Sequence, residues 1–438
     1  MPKSKRLYFF CVFISLLSVC CTEEVDLSLD TTDETFNILV VEATITNEFK
    51  NHRVNLSRMD TILDTQIDST FNPFTPGRDI DRDLVKYERN AQVLVENATG
   101  ITYNFNEISP GIYESSEPFA AMEGQSYTLN ILTSDGKTYT SQPMAIEGFL
   151  DVDQLYAERM TNDDGEEGIG IFIDNGQASG SVNNLGFSYD ETYKIVAPFW
   201  DENDFKLSNY DPCALPVPTY DLEIVPRETE QQVCYGNQVS NSIILAENNT
   251  EAGTGLNRYM IRFLNQDDFM ISHRYSIEVT QMVTGSESFG FYEKLRNFSQ
   301  SGNVFSQVQP GFIDGNITSV NGNVDRVIGF FDVVSVSKER IFFDYVDFFP
   351  GEPLPDYAVP CVELSSPESH VSYCFTGLTG GGCPQSIIEQ VNLDLITYVR
   401  LNEGLTVGVC PGPYVFVNKP CGDCTVLGSN VKPDFWID

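Results

Sequence analysis

Ser126-Tyr127-Thr128-Leu129-Asn130-Ile131-Leu132-Thr133-Ser134-Asp135-Gly136-Lys137-Thr138-Tyr139-Thr140-Ser141-Gln142 is the stretch from which the fold is read. Apolar and polar residues alternate on both sides of Asp135-Gly136, a turn pair that accepts the positive φ of a tight hairpin. The same texture extends toward the N-terminus. Ala91 to Glu96 and Ile101 to Phe105 read as strands joined across Asn97-Ala98-Thr99-Gly100, and Phe36 to Thr46 and His52 to Met59 read as two more. Asp60 to Tyr87, with Pro73 and Pro76, reads as a polar insertion. Short strands separated by turn signals predict an immunoglobulin-like β-sandwich over residues 36–147.

Beyond Gly148 the strand-like runs are longer and further apart: Gly168 to Ile173, Glu191 to Ala197, Tyr220 to Val225, Ser240 to Ala246, Arg258 to Leu264 and Tyr275 to Met282. The period then changes. Phe289, Tyr292 and Leu295 recur at helical spacing after Thr284-Gly285-Ser286-Glu287, which has the form of a capping box, so one helix is predicted near 286–298. Strands are expected again at Val327 to Ser335 and Arg340 to Val346, completing a larger β-rich domain over 148–348. From Phe349 onward prolines break regular structure and cysteines crowd in, defining a Cys-rich C-terminal region over 349–438. With 438 residues, two or three domains are expected, mainly β with one packed helix.

At the other end, Lys3, Lys5 and Arg6 precede an apolar run from Leu7 to Val19 that closes on Cys20-Cys21. That is the layout of a secretory signal, too short to span a bilayer, over residues 1–20. A cysteine at its end resembles the lipobox of a bacterial lipoprotein. Cys21 is the expected lipid attachment point, with Cys20 as the alternative. Glu23, Glu24 and Asp26 look like the acidic tag that sends such proteins to the outer face of the outer membrane, and residues 21–35 read as an acidic tether. The formal net charge is −37, and loss of the three signal-peptide cations leaves −40. Such a surface repels nucleic acid.

Export frames the cysteines. Cys213, Cys234, Cys361, Cys374, Cys383, Cys410, Cys421 and Cys424 are an even set, expected to form disulfides rather than bind metal. Spacing suggests a Cys213–Cys234 bridge, with the other bridges inside the last third. No catalytic residue is assigned. Cys421-x-x-Cys424 lacks the second pair of a zinc site and the βαβ frame of a redox site. Asp79-Ile80-Asp81-Arg82-Asp83 starts like a calcium loop but has Leu84 where glycine is needed. Gly377 to Gly382 lacks the Lys-Ser/Thr of a phosphate loop. His52, His273 and His370 stand in no nucleophile context, and no cofactor is expected.

Ser301-Gly302-Asn303-Val304-Phe305, Pro310-Gly311, Gly315-Asn316-Ile317 and Val327-Ile328-Gly329-Phe330-Phe331 together form a recognisable order. With Leu39-Val40-Val41-Glu42-Ala43 at the start and Cys421-Gly422-Asp423-Cys424 and Lys432-Pro433-Asp434-Phe435-Trp436 at the end, the chain resembles a Bacteroidota outer-membrane lipoprotein family, domain of unknown function 4249. Members are usually encoded beside a TonB-dependent receptor. The resemblance therefore implies a non-enzymatic accessory or substrate-binding subunit of a TonB-dependent uptake system, facing outward and partnered by that receptor. The alternatives are an extracellular hydrolase, which would need a deep pocket with perturbed acids or histidines, and a structural adhesin.

Overall fold

The first strands are β1 (Ile38–Thr46), β2 (Arg53–Met59), β3 (Lys86–Tyr87), β4 (Gln92–Asn97), β5 (Thr102–Ser109), β6 (Ile112–Ser115), β7 (Ser126–Leu132), β8 (Thr138–Ser141) and β9 (Met144–Ala145). The hairpin forms as its pattern requires. Asn130 pairs with Thr140 and Leu132 with Thr138, while Gly136 takes φ 83° in the turn. Alternation sends Tyr127, Leu129, Ile131 and Tyr139 inward, where they meet Leu39, Val41 and Ile45 of β1. Each fully buried side chain of this size is worth about 1.5–3 kcal/mol.

The chain continues through β10 (Gly148–Phe149), β11 (Val152–Thr161), β12 (Glu167–Asn175), β13 (Ser179–Gly180), β14 (Asn184–Val196), β15 (Asn203–Asp211), β16 (Thr219–Pro226), β17 (Val233–Val239), β18 (Ile244–Glu247), β19 (Tyr259–Asn265) and β20 (Arg274–Thr284). Helix α1 (Ser286–Gln300) is followed by β21 (Ile317–Ser319), β22 (Val327–Asp344), α2 (Tyr345–Phe348), α3 (Ile387–Asn392), β23 (Ile396–Leu401), β24 (Tyr414–Asn418) and α4 (Lys419–Gly422). This computed structural model describes residues 38–59, 86–180, 182–212, 214, 216–248, 255–300, 313–320, 326–368, 386–408 and 411–438. Residues 39–57 and 87–438 form one compact unit; a second, drawn from 1–38 and 58–86, lies almost wholly outside the described residues. The insertion and its acidic motif at Asp79 to Asp83 are therefore not described.

The two strands expected at 327–335 and 340–346 are one. Polar Ser335-Val336-Ser337-Lys338-Glu339-Arg340 reads as a break, but β22 runs through it and exchanges neighbours there. Leu39↔Val327 to Thr46↔Val334 pair in parallel with β1, whereas Val283↔Ser335 to Arg274↔Asp344 pair antiparallel with β20. One ladder results, in the order β17-β14-β20-β22-β1-β2-β6-β5-β4-β7-β8-β21. The expected division at 147/148 is crossed accordingly: Ile317, Val327, Phe331 and Val333 lie in the same core as β1 and β7. The sandwich is one sheet wrapped around that core. It closes where Gly315 lies against Gly329, a contact so tight that a Cβ on Gly315 would stand 1.6 Å from the Gly329 carbonyl oxygen.

A second core holds Ile169, Ile171 and Leu264 of the β11-β12-β19 sheet against Phe187, Ile277 and Val279 of β14 and β20. Helix α1 starts where predicted and runs two residues further, but the capping box is not made. Thr284 ends β20 with its hydroxyl buried and unpartnered, and the first helical turn instead bonds Phe289 N–H to the Gly285 carbonyl. The C-terminal region is not a separate body either. Ile387, Ile388, Ile396 and Phe416 pack on Phe205 and Leu222 of the β15–β16 hairpin.

The disulfides correct the expected Cys213–Cys234 pairing, whereas one bridge, Cys361–Cys421, lies inside the last third as expected. Cys234 joins Cys424 and Cys361 joins Cys421, spanning 190 and 60 residues. Cys234 cannot also pair with Cys213. Its place on β17 beside β14 puts it in a small core with Ile195, Ala197 and Cys424. Cys213, Cys374, Cys383 and Cys410 lie outside the described residues.

Candidate functional site

One cleft, of about 410 Å³, opens where β14, β20 and β22 end. Lys194 and Val196 come from β14, Ser272 and His273 from just before β20 and Arg274 from its first position, Asp344 from the end of β22, and Tyr345 and Val346 from the start of α2. Leu354 and Asp438 complete it. Asp438 arrives there because the tail is pinned. Ser429 exchanges backbone hydrogen bonds with Tyr235, Trp436 packs edge-on to Tyr235 and Phe342, and the Arg340 guanidinium lies 3.8 Å from the Phe435 ring centre. The Cys234–Cys424 bridge fixes the same tail to β17.

The charges of this cleft are unevenly matched. Arg274 Nη1 donates to Asp344 Oδ2 at 2.8 Å, but Arg274 Nε is buried without an acceptor. Lys194 has no ion-pair partner among the described residues. Lys432 holds the Asp438 carboxylate, which together with the fields of Lys194 and Arg274 keeps its pKa below the usual carboxylate range. Burial, reinforced by Lys194, lowers the His273 pKa against the opposing pull of Asp344, leaving a neutral imidazole at neutral pH. Val346 and Leu354 stand more than half exposed on the wall. The arrangement can hold a carboxylate beside an apolar group.

A second groove, of about 460 Å³, lies on the outer face of β1 and β2 under Tyr292 of α1. Its charged groups are already partnered: Lys50 with Glu48, Arg53 with Glu114, and Glu42 with the Asn55 amide. Beneath it Ser288 donates to Asp332, a carboxyl that burial raises to a pKa of about 6. Elsewhere the fully buried Glu191 receives Arg262 Nε at 2.9 Å and the Tyr275 hydroxyl, tying β14, β19 and β20 together.

The sequence-predicted groups fall as follows. Cys20, Cys21, Glu23, Glu24, Asp26, His370 and Gly377 to Gly382 lie outside the described residues. His52 is buried, and because a carbonyl only accepts, its Nε2 must donate to the Phe119 oxygen at 2.9 Å. Burial holds its pKa down at about 4, so it is a neutral packing group on the Phe119 ring. Cys421 and Cys424 do not pair with each other; each takes a distant partner. Among the described residues no group of three or more His, Cys, Asp or Glu could hold a metal ion. Lys194, Arg274 and Asp438 were not singled out by sequence, since no motif joins them. No local signal marked them either, since the adjacent His273 and Arg274 repeat the His52-Arg53 pair found at the other groove.

Comparison with curated proteins and with solved structures finds no match. The family model described as a domain of unknown function, DUF4249, matches residues 22–340. That span takes in the sandwich, the β11-β12-β19 layer, α1 and most of β22, including the Gly315 and Gly329 contact that closes the ladder. The chain belongs to the DUF4249 family.

Proposed function

We propose that the protein is a surface-exposed outer-membrane lipoprotein, a non-enzymatic accessory or substrate-binding subunit of a TonB-dependent uptake system. The observation that carries this reading is the N-terminal segment, in which Lys3, Lys5 and Arg6, the apolar run to Val19, Cys20-Cys21 and then Glu23, Glu24 and Asp26 follow in lipoprotein order. The family match opening at residue 22 and two disulfides of the kind found in exported chains support it. In this reading the anchor is a lipid on Cys21, or alternatively on Cys20. Anchoring raises the effective concentration beside a receptor in the same membrane, and a modest interface then stays occupied.

The test is purification from the native membrane in mild detergent. A TonB-dependent receptor should co-purify, and deletion should impair uptake of at least one nutrient. Absence of the receptor together with unchanged uptake over a broad nutrient panel would remove the proposal.

A further inference from the structure

We infer that the cleft between Lys194, Arg274 and Leu354 is a binding site for short peptides with a free carboxyl terminus and an apolar last side chain. This deepens the substrate-binding part of the reading above. Binding is measured on the chain without a receptor, so the two can fail separately.

The chemistry comes from groups left over by the fold. Arg274 spends Nη1 on Asp344, and its Nε is a buried donor with no acceptor. Lys194 carries a charge without an ion-pair partner among the described residues. A carboxylate entering the cleft would pair with Lys194 in the field of Arg274. His273 is a neutral imidazole on the same rim, able to exchange a hydrogen bond with a peptide group. Val196, Val346 and Leu354 offer the apolar wall beside it, with Val346 59% and Leu354 53% exposed. Carboxylate, amide and apolar side chain are the successive groups of a peptide end. A fatty acid would leave the imidazole unused, and a phosphate would leave the wall unused.

The molecule already seats a carboxylate there. Asp438 lines the cleft, salt-bridged to Lys432 at 2.5 Å and in the field of Lys194 and Arg274. It stands where an incoming carboxylate would compete.

The experiment uses full-length protein in lipid nanodiscs and calorimetric titration with acetyl-Ala-Ala-Leu, its C-terminal amide, octanoate and inorganic phosphate. The free acid should bind, and the amide should bind at least about tenfold more weakly. Lys194→Gln should weaken the free acid by a similar factor while leaving the amide unchanged. Asp438→Asn should tighten it by removing the competing carboxylate. Arg274→Gln should abolish preference for the acid, with near-ultraviolet circular dichroism separating lost binding from lost fold. Lys194 makes no structural ion pair, so Lys194→Gln remains informative if Arg274→Gln fails to fold. Equal binding of acid and amide, no effect of Lys194→Gln, octanoate or phosphate binding as tightly as the peptide, or no binding of the acid at about 5 mM would each overturn the assignment.

Discussion

Asn316 holds the backbone of Phe331 with both atoms of its amide, Nδ2 donating to the carbonyl and Oδ1 accepting from the N–H, each at 2.8 Å. A side chain thus supplies the pairing that closes the sandwich ladder onto β22. Asn316→Ala would leave two buried backbone groups unpaired, each costing about 1–3 kcal/mol, so unfolding free energy should fall by about 2–5 kcal/mol in urea titration. Asn316→Asp should also destabilise, because the carboxylate cannot donate to the Phe331 carbonyl. Gly315→Ala should be harsher, since its Cβ would collide with the backbone of Gly329. A loss below about 0.5 kcal/mol for Asn316→Ala would mean that the ladder closes without it.

Non-reducing peptide mapping should recover Cys234 linked to Cys424 and Cys361 linked to Cys421. In the chain-entropy account, loops of 190 and 60 residues correspond to about 5 and about 4 kcal/mol when closed singly, and less in sum because the loops overlap. Paired Cys234→Ala and Cys424→Ala should therefore lower stability by about 2–5 kcal/mol. Recovery of a Cys213–Cys234 peptide would contradict this arrangement.

Asp332 should make stability fall as pH rises. Burial raises its pKa to about 6 in the folded chain, against the ordinary aspartate value of 3.8, while Ser288 and the Val333 N–H oppose the shift. Between these values the folded state binds more protons than the unfolded one, so stability is greatest below the window and is lost through it, by about 3 kcal/mol. Asp332→Asn should remove that slope and raise stability at neutral pH. Urea midpoints measured from about pH 4 to about pH 7 for both proteins check it, and parallel profiles would assign the slope to other groups.

Cys21→Ala should move the protein from the membrane to the soluble fraction. Release by Cys20→Ala alone would place the lipid one residue earlier. Replacing Glu23, Glu24 and Asp26 with Ala should preserve lipidation yet abolish cleavage by protease added to whole cells; undiminished cleavage would exclude them as the surface tag.

Much of the fold was legible because burial writes its period locally. Tyr127, Leu129 and Ile131 alternate toward one core, Asp135-Gly136 turns the chain, and Phe289, Tyr292 and Leu295 mark α1, all within a few residues of one another. The N-terminal order of cations, apolar run and cysteines is likewise local, and it alone carries the proposed anchoring.

What only the tertiary structure decided is the set of remote pairings. Polar Ser335 to Arg340 looks like the end of a strand, yet β22 continues because β20 offers backbone partners where β1 stops. Cys234 bonds a residue 190 positions away, since β17 and the tail meet at a small core that no spacing announces. Lys194, Arg274 and Asp438 share a cleft only after three strand ends and a pinned tail converge. Local periodicity records which face of an element is buried; it does not record against what, because that choice is made by the packing and hydrogen bonding of segments far apart in the chain.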